Sequence, residues 1–590
     1  MSAPCEADPQ DAARATRAAP PEGARSRRWA LGIAALAMAI TMLPYLFAWS
    51  LQGASPAFGW YGWLGYNLDD SCVYLAWMRQ AADGGFFQRN LFTTEPQVGR
   101  QFNLLFVVLG WTCGLTRLPP LAVYHLARIA LGMALLRAVW WLLEQTLAQD
   151  RARRLAYLCV AFSAGLGWAP GLWRRSGIQS PVDVWQPEAI TFLCLYLSPL
   201  FLASLLLMVG VLGWLWVAER TGQRWHALWA GLCGLALGNI HTYDVITVAA
   251  VWGLYLALRS AAERKARFDS WTRALFAGAL TAVSTAHMFW VYRTETVFAR
   301  RVSVPTTWPL EPALRYGLPL LGYGLLVPLA VAGAWLLFRT ARREQAPAVP
   351  YAALFLAAWA VANPLVSYLP VSFQRKMLMG THLPVAILAG VALAAALARL
   401  RGRAWALATA LCVVALFPTN ARFLLRDAQN AIENRAQTNI QRPFLTTGEL
   451  ESLSWLRRNA PRGDAIQPLP WVGVAPDGAV GFADATVACF APGLTGHAVH
   501  AGHWGETPDF GPTMNLWVRF LHPGTPDAWR QGLLRRSGVR WLLFSQKHRE
   551  DAALARGLAD RRTLDSLPYL RRRAEASNED ADFYEVTLAR

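Results

Sequence analysis

Long apolar runs separated by short arginine clusters dominate the pattern along the chain. About eleven of these runs are long enough, or nearly long enough, to cross about 30 Å of hydrocarbon as helices. They occupy residues 29–49, 120–147, 154–170, 189–217, 225–240, 243–259, 271–291, 313–338, 350–369, 381–398 and 404–419. The pattern therefore predicts a polytopic α-helical membrane protein with about eleven transmembrane helices.

One further apolar segment, Phe102–Leu115, decides the sidedness of the whole chain. Its length suits an interfacial or re-entrant helix better than a membrane span. Lysine and arginine near helix ends are retained on the cytoplasmic side, and the larger share of them falls there only if this segment does not cross. We therefore predict a cytoplasmic N-terminus, with the loop 50–119 and the region after residue 419 on the outer face.

The two polar ends differ in composition. Residues 1–28 are rich in Ala, Pro and Arg without an apolar face, which predicts a disordered cytoplasmic tail. Residues 420–590 are mixed polar sequence, and Thr446 with Glu449 predicts a capping box before a helix over Leu450–Asn459. Helical and strand patterns follow at Thr525–Ser537, Trp541–Ser545 and Phe583–Leu588. A membrane domain over 29–419 thus precedes an extracytoplasmic α/β domain over 420–590.

Composition supports a membrane environment. The chain is 54% hydrophobic and 16% charged, with a mean hydropathy of +0.24. The formal net charge of +18 is compatible with nucleic-acid binding, but the arginines lie between apolar runs, where they act as topology signals. We therefore predict no nucleic-acid partner. The eight cysteines lie mostly inside apolar segments and indicate no disulfide framework.

An acidic pair, Asp69-Asp70, follows the first apolar run and begins a short amphipathic helix over Val73–Ala82. One apolar stripe on this helix predicts that it lies on the membrane surface. The pair itself has two interpretations at this point. It is either a helix cap with an acidic neighbour, which the helix dipole favours, or a reactive carboxylate.

Adjacent cations at Arg375-Lys376 follow an apolar run on the side where positive charge is disfavoured. An arginine can grip phosphate oxygens with two hydrogen bonds and a lysine can add a point charge. Snorkelling toward lipid headgroups is the alternative. A second set with the same two interpretations comprises Arg293, Arg300 and Arg301.

Other outer polar residues are candidates for substrate binding or for structural roles. Glu188 follows a short Trp-Gln-Pro sequence, and His241 with Asp244 interrupts an apolar stretch, where ionisable groups are costly unless used or paired. His497, His500 and His503 could ligate zinc, whereas the glycines around Glu506 favour an ordered loop that faces the membrane domain.

The order of these features resembles the GT-C superfamily of membrane glycosyltransferases, which includes protein O-mannosyltransferases and lipid A aminoarabinose transferases. In that superfamily, the first outer loop carries the catalytic carboxylate and two juxtamembrane helices. The matching features here are Asp69/Asp70, Val73–Ala82 and Phe102–Leu115. The chain has Asp-Asp where the mannosyltransferases have Asp-Glu, and Tyr74 is displaced by one position from their aromatic residue.

The resemblance implies a transferase that moves a hexose or pentose from a polyprenyl-phosphate-linked donor. The acceptor would be a glycan, lipid or protein on the outer face, with Asp69 or Asp70 as general base and Arg375 and Lys376 on the donor phosphate. A divalent cation stays open as a cofactor, held by Asp69/Asp70, Glu188 and His241 if the fold brings them together.

The predicted location is a bacterial plasma (inner) membrane, with membrane lipids as partners. Two alternatives also stay open, namely a membrane transporter and a noncatalytic component of envelope polysaccharide assembly. An inverted-repeat transporter typically has a pair of Gly/Pro-broken helices in matching positions. The sequence shows no such pair.

Overall fold

The fold was analysed in a computed structural model that describes residues 22–172, 181–300, 321–344, 348–371, 373–436, 441–474, 480–545 and 561–588. Helices fill the described part of the chain up to residue 436. They are α1 Glu22–Ser50, α2 Leu68–Ala82, α3 Leu104–Thr116, α4 Pro120–Thr146, α5 Asp150–Phe162, α6 Thr191–Leu197, α7 Pro199–Thr221, α8 Arg224–Ile240, α9 Asp244–Glu263, α10 Phe268–Thr294, α11 Thr296–Ala299, α12 Leu326–Glu344, α13 Ala348–Val366, α14 His382–Ala396, α15 Gly402–Leu416 and α16 Pro418–Ile432.

Six described helical segments are long and apolar enough to cross a membrane. They are Gly23–Ser50, Pro120–Thr146, Pro199–Thr221, Asp244–Glu263, Phe268–Thr294 and Gln374–Ala396. The total rises to seven if α15 and α16, which are bent by 53° at their junction, form one broken span. Other predicted spans coincide with shorter helices, such as α5 and α13. The helical membrane fold is confirmed, and the count of about eleven stays a prediction.

Both predicted boundaries of the membrane domain shift in the structure. Helix α1 starts at Glu22, so the residues immediately before the predicted first span are already helical. The predicted disordered tail otherwise falls outside the described residues. At the other boundary, α16 continues to Ile432 and packs against α1. The helical domain therefore extends past residue 419.

Helices α2 and α3 form a closely packed pair. A Cβ atom at Gly110 of α3 would lie 2.5 Å from the Met78 carbonyl oxygen of α2, so the backbones approach closely only because this residue is glycine. The predicted stripe of α2, Val73, Trp77 and Ala81, is buried in protein. The apolar face of α2 therefore contacts protein, and the position of α2 relative to the membrane surface stays a prediction.

Paired asparagine contacts fix the start of α3. The backbone N–H of Leu104 donates to the side-chain oxygen of Asn239 (2.6 Å), and Asn103 donates to the Ile240 carbonyl (3.0 Å). Asn239 and Ile240 are the last residues before His241. The first outer loop is thus tied to the chain segment that carries His241 and Asp244.

The C-terminal region forms the predicted α/β domain. Its strands are β3 Ala465–Pro468, β4 Trp471–Val474, β5 Val480–Asp484, β6 Ala498–Val499, β7 Val539–Ser545, β8 Leu570–Arg572 and β9 Ala581–Val586. Five of them form a sheet in the order β6-β3-β7-β9-β8, and β4 pairs with β5. In the five-stranded sheet, β3 is parallel to β6 and β7, whereas β9 is antiparallel to β7 and β8.

Helices pack on this sheet. They are α17 Thr447–Asn459, α18 Thr486–Thr495, α19 Phe510–Leu521, α20 Asp527–Ser537 and α21 Arg561–Asp565. The predicted capping box is confirmed, since Thr446 accepts from the Glu449 backbone N–H and Glu449 accepts from the Thr446 backbone N–H. The predicted helix and strands near residues 525–545 and 583–588 are confirmed with shifted ends.

The two domains share one hydrophobic core. Strand β1 (Trp60–Tyr61), in the first outer loop, pairs antiparallel with β2 (Phe444–Leu445), at the start of the C-terminal domain. Helix α18 packs against α2, where a Cβ atom at Gly493 would lie 2.9 Å from the Leu75 Cβ atom. Arg79 of α2 donates to the Gly493 carbonyl oxygen (3.2 Å). The C-terminal domain is therefore packed directly on the helix that carries the acidic pair.

Candidate active site

The two carboxylates of the acidic pair have different surroundings. Asp69 is buried, and one of its oxygens accepts from the Trp504 indole N–H at 2.5 Å. Burial, followed by the charge of Asp70, raises the pKa of Asp69. The Asp70 side chain is 40% exposed and accepts from the Asn67 amide at 3.3 Å. One carboxylate is enclosed by protein, and the other is accessible.

His503 approaches the accessible carboxylate from the C-terminal domain. Its imidazole is 2% exposed, and Nε2 lies 3.9 Å from an oxygen of Asp70. On the other side of the ring, Nδ1 accepts from the backbone N–H groups of Gly505 and Glu506, both at 3.0 Å. An acceptor at Nδ1 places the proton of a neutral imidazole on Nε2. His503 therefore presents an N–H group toward Asp70.

The loop that carries His503 is anchored to the first outer loop. Asn90 donates to the Glu506 carbonyl oxygen (2.8 Å), and the Thr507 hydroxyl donates to the Phe92 carbonyl oxygen (2.7 Å). The His503 ring also packs on Phe92, with centroids 5.3 Å apart. These contacts fix the loop that carries His503 against residues 90–92.

The three histidines of this loop do not converge. His497 Nε2 lies 3.2 Å from the Pro461 carbonyl oxygen, and His500 Nδ1 accepts from the Trp517 indole at 3.1 Å. Within the part of the chain that the structure describes, no group of three or more His, Cys, Asp or Glu side chains could hold a metal ion. The three histidines have separate partners and do not form the zinc site that their spacing allowed.

Glu188 lies next to the predicted phosphate-binding cations. It is buried in a 3₁₀ turn over Pro187–Ala189, and Gln186 donates to it at 2.6 Å. Burial raises the pKa of Glu188, and the charges of Lys376, Arg375 and His241 act against this rise. Glu188 therefore lies within electrostatic range of both cations.

A 3₁₀ turn over Gln374–Leu378 presents the two cations beside aromatic rings. The Arg375 guanidinium lies over the Trp185 ring at 5.6 Å, and the Lys376 ammonium lies over the Tyr243 ring at 5.4 Å. Cation–π contacts of this kind hold the charged groups without neutralising them.

Asn363 holds this turn and was not predicted from the sequence. It is buried in α13, and its amide donates to the Met377 and Met379 carbonyl oxygens at 2.8 and 3.0 Å. The Trp359 indole donates to its side-chain oxygen at 3.1 Å. The available signal was a polar residue within the apolar run 350–369.

His241, Tyr243 and Asp244 form a buried hydrogen-bonded chain. His241 Nδ1 lies 2.5 Å from Asp244, and its Nε2 lies 2.8 Å from the Tyr243 hydroxyl. Ser204 donates to the same oxygen of Asp244. Tyr243 also stacks on Phe373, with centroids 5.4 Å apart. The predicted pairing of His241 with Asp244 is present, and it orients an aromatic residue beside Lys376.

Two tyrosines connect the acidic pair with the cationic turn. Burial and then the charges of Asp244, Glu188 and Asp70 raise the pKa of Tyr243. Burial and then the charge of Asp70 raise the pKa of Tyr74, and the charge of Glu188 raises it further. Tyr74 is itself fixed by stacking on Phe106 at 4.7 Å. The charges of Asp70 and Glu188 therefore act on both tyrosines, and Lys376 lies over one of them.

The second predicted set of cations has different neighbours. Arg300 pairs with Glu95 (3.0 Å) and with Asp509 (2.7 Å), and so bridges the first outer loop and the C-terminal domain. The Arg293 guanidinium lies over Phe289 at 4.9 Å. Arg301 falls outside the described residues. Because two carboxylates already engage Arg300, it is better suited to holding the domains together than to binding phosphate.

The fold is that of the GT-C membrane glycosyltransferases, which confirms the resemblance predicted from the sequence. The archaeal oligosaccharyltransferase AglB from Archaeoglobus fulgidus, solved with an inhibitory peptide and a dolichol-phosphate, is similar over 88% of this chain and 69% of its own, with a TM-score of 0.51 and 12% identity.

Two further solved structures are similar over most of this chain. ArnT from Cupriavidus metallidurans, solved with undecaprenyl phosphate, matches 94% of this chain and 98% of its own (TM-score 0.48, 14% identity). The arabinofuranosyltransferase AftD from Mycobacteria matches 95% of this chain and 40% of its own (TM-score 0.49, 13% identity). No protein-family model and no curated protein matches the sequence. At 12% identity, the likeness to AglB shows a common fold.

Proposed function

We propose that this protein is a membrane glycosyltransferase that uses a polyprenyl-phosphate-linked sugar as donor and Asp70 as general base. The proposal rests on the accessible carboxylate of Asp70 and on the cations Arg375 and Lys376, the second of which lies over Tyr243, a residue on which the charge of Asp70 acts. A GT-C fold supports the same chemistry. The site thus has a group that can accept a proton and groups that can stabilise a departing phosphate.

Asp70 is preferred to Asp69 because of accessibility. The Asp69 carboxylate is buried and accepts the Trp504 indole N–H, so an acceptor hydroxyl cannot reach it without displacing protein. Asp70 is 40% exposed and accepts from the Asn67 amide at 3.3 Å. A general base must come within hydrogen-bonding distance of the proton that it removes, and the exposed carboxylate of Asp70 is open to that approach.

Arg375 and Lys376 are the proposed ligands of the donor phosphate. Both lie over aromatic rings near the buried Glu188, which leaves their donors available to phosphate oxygens. The similar AglB structure was solved with a dolichol-phosphate, a polyprenyl phosphate of the same chemical class. We extend this ligand class to the present chain as part of the proposal.

The proposed reaction is an inverting displacement. Asp70 accepts the proton of the acceptor hydroxyl as the hydroxyl oxygen forms a bond to the anomeric carbon of the sugar. The bond between that carbon and the phosphate oxygen breaks, and its electron pair leaves with the polyprenyl phosphate. Arg375 and Lys376 stabilise the added negative charge of the leaving group.

The proposal includes a location. The positive-inside rule assigns the loop 50–119, Glu188 and the turn that carries Arg375 and Lys376 to the outer face. The acceptor is then a glycan, lipid or protein exposed there, and the sugar is a hexose or a pentose. A bacterial inner membrane with a cytoplasmic N-terminus fits this arrangement.

The test uses the full chain in lipid nanodiscs with a panel of undecaprenyl-phosphate hexoses and pentoses and a lipid extract as the source of acceptor. We expect donor consumption that requires the extract. Asp70→Asn should lower turnover by about 100-fold or more, because general-base catalysis typically contributes that much. The matched control is Asp83→Asn, at the other end of α2, where Asp83 pairs with Arg457 (2.9 Å).

Two results would contradict the proposal. Full turnover by Asp70→Asn would remove the assigned base. Uptake of unmodified sugar into sealed vesicles, without donor consumption in any assay, would favour a transporter. Loss of donor affinity in Lys376→Met and Arg375→Met, with unchanged folding, would support the phosphate site.

A further inference from the structure

We infer that the C-terminal domain completes the active site through His503, which positions the Asp70 carboxylate by donating its Nε2–H group. This inference rests on the proposed function and deepens it, because it assigns a positioning residue that acts through the base. The residue comes from a separate domain, more than 400 positions away in the sequence.

The loop backbone fixes the tautomer of His503. Two backbone N–H groups, from Gly505 and Glu506, point at Nδ1 from 3.0 Å. Both are donors, so Nδ1 must be the acceptor and Nε2 must carry the proton when the ring is neutral. The loop backbone therefore decides which nitrogen faces Asp70.

The Nε2–H donor of His503 is unsatisfied. His503 Nε2 is buried and has no hydrogen-bond partner within the described ranges of the chain. Leaving a buried donor unpaired costs about 1–3 kcal/mol. The Asp70 oxygen at 3.9 Å is too distant for a hydrogen bond, but its side chain is 40% exposed and can rotate toward the ring. Catalytic hydrogen bonds often shorten only when substrate is bound.

Trp504 supports the loop that carries His503. Trp504, the next residue, stacks on the His503 ring at 6.1 Å and binds Asp69 at 2.5 Å. The loop thus approaches both members of the acidic pair with two adjacent side chains. Trp504 holds the enclosed carboxylate, and His503 faces the reactive one.

Other titratable groups interact with Asp70, and the experiment must separate them from His503. They come from four elements and comprise Asp69 and Tyr74 of α2, Tyr124 of α4, Tyr243 before α9 and Cys489 of α18. Their side chains have no nitrogen donor, whereas His503 has one whose tautomer the loop backbone fixes.

The test compares His503→Gln with His503→Met in the nanodisc assay. The glutamine side-chain nitrogen can replace the Nε2–H donor, whereas methionine has similar length and no donor. A misplaced catalytic group can cost about 100-fold in rate, so we expect kcat to fall by about that factor in His503→Met and to be largely retained in His503→Gln. Donor KM should change little in either variant.

The pH profile separates positioning from structural support. Loss of the donor leaves the ionised form of Asp70 less stabilised, so the acid limb of kcat/KM should move to higher pH in His503→Met. The matched control is His500→Ala, in the same loop, where the ring bonds Trp517 and not a carboxylate. It should leave the acid limb unchanged.

The outcomes distinguish this inference from the proposed function. If Asp70→Asn abolishes transfer and both His503 variants match the parent, the inference fails and the function stands. Equal losses in the two His503 variants with an unmoved acid limb also overturn it, because they indicate structural support alone. Absence of any transfer by the unmodified protein contradicts the function itself.

Discussion

At the scale of single residues, neighbouring side chains on one helical turn acquire different chemistry from their surroundings. Asp69 is enclosed and its pKa is raised, first by burial and then by Asp70. Asp70 is accessible and faces the His503 imidazole. This division gives the proposed base open access while the second carboxylate holds the loop of the C-terminal domain.

The raised pKa of Asp69 predicts a pH-dependent effect of Asp69→Asn. A carboxyl whose pKa is higher in the folded state binds protons more tightly there, so its contribution to stability falls as pH rises above the ordinary value of 3.8. Asparagine removes this effect and keeps an acceptor for Trp504. Thermal unfolding should show a more favourable change for Asp69→Asn at pH 7.5 than at pH 4. A destabilisation that is equal at both pH values would contradict this account.

At the scale of elements, a turn and a buried amide form one unit. The turn over Gln374–Leu378 carries Arg375 and Lys376, and Asn363 of α13 holds it through two backbone carbonyls. The cations are thus positioned by a neighbouring helix and not by the turn sequence alone.

Asn363→Leu should therefore loosen the phosphate site. The substitution leaves the Met377 and Met379 carbonyls without their donor, at a cost of about 1–3 kcal/mol for each buried group. We expect a lower unfolding temperature and a raised KM for the lipid-linked donor, measured in the nanodisc assay. Asn459→Leu is the control, because the Asn459 side chain makes one exposed hydrogen bond to Trp455. If both variants keep the parental KM, the turn does not depend on Asn363.

Local signals predicted much of these elements. The capping box at Thr446 and the shortness of Phe102–Leu115 depend on neighbouring residues, and both appear in the structure. The contact between His503 and Asp70 could not be predicted, because it depends on packing between distant parts of the chain. Nor could the sequence predict that protein covers the apolar stripe of α2, since a helix with one apolar face fits a membrane or a protein partner equally well.

At the scale of the whole molecule, the loop 50–119 and the C-terminal domain pack against each other. Strand pairing between β1 and β2, the shared core and the Arg300 bridge join them. Which side of the membrane this assembly faces is still a prediction from charge bias.

Cysteine labelling in intact cells tests the sidedness. Ser71 is buried and is unsuitable as a labelling position. Phe87, which is 52% exposed in the first outer loop, and the exposed Gln223 between α7 and α8 are better sites. An impermeant maleimide should modify Phe87→Cys before lysis and Gln223→Cys only after lysis. The reverse pattern would overturn the assigned orientation.

The packing of α18 on α2 has a consequence for biosynthesis. The hydrogen bond from Arg79 to Gly493 joins residues 414 positions apart, so the acidic helix stays uncovered until most of the chain has left the ribosome. A prematurely terminated chain would insert its early helices yet expose apolar α2 side chains, which membrane proteases and chaperones recognise. The approach of His503 to Asp70 is likewise absent until residue 503 has been synthesised.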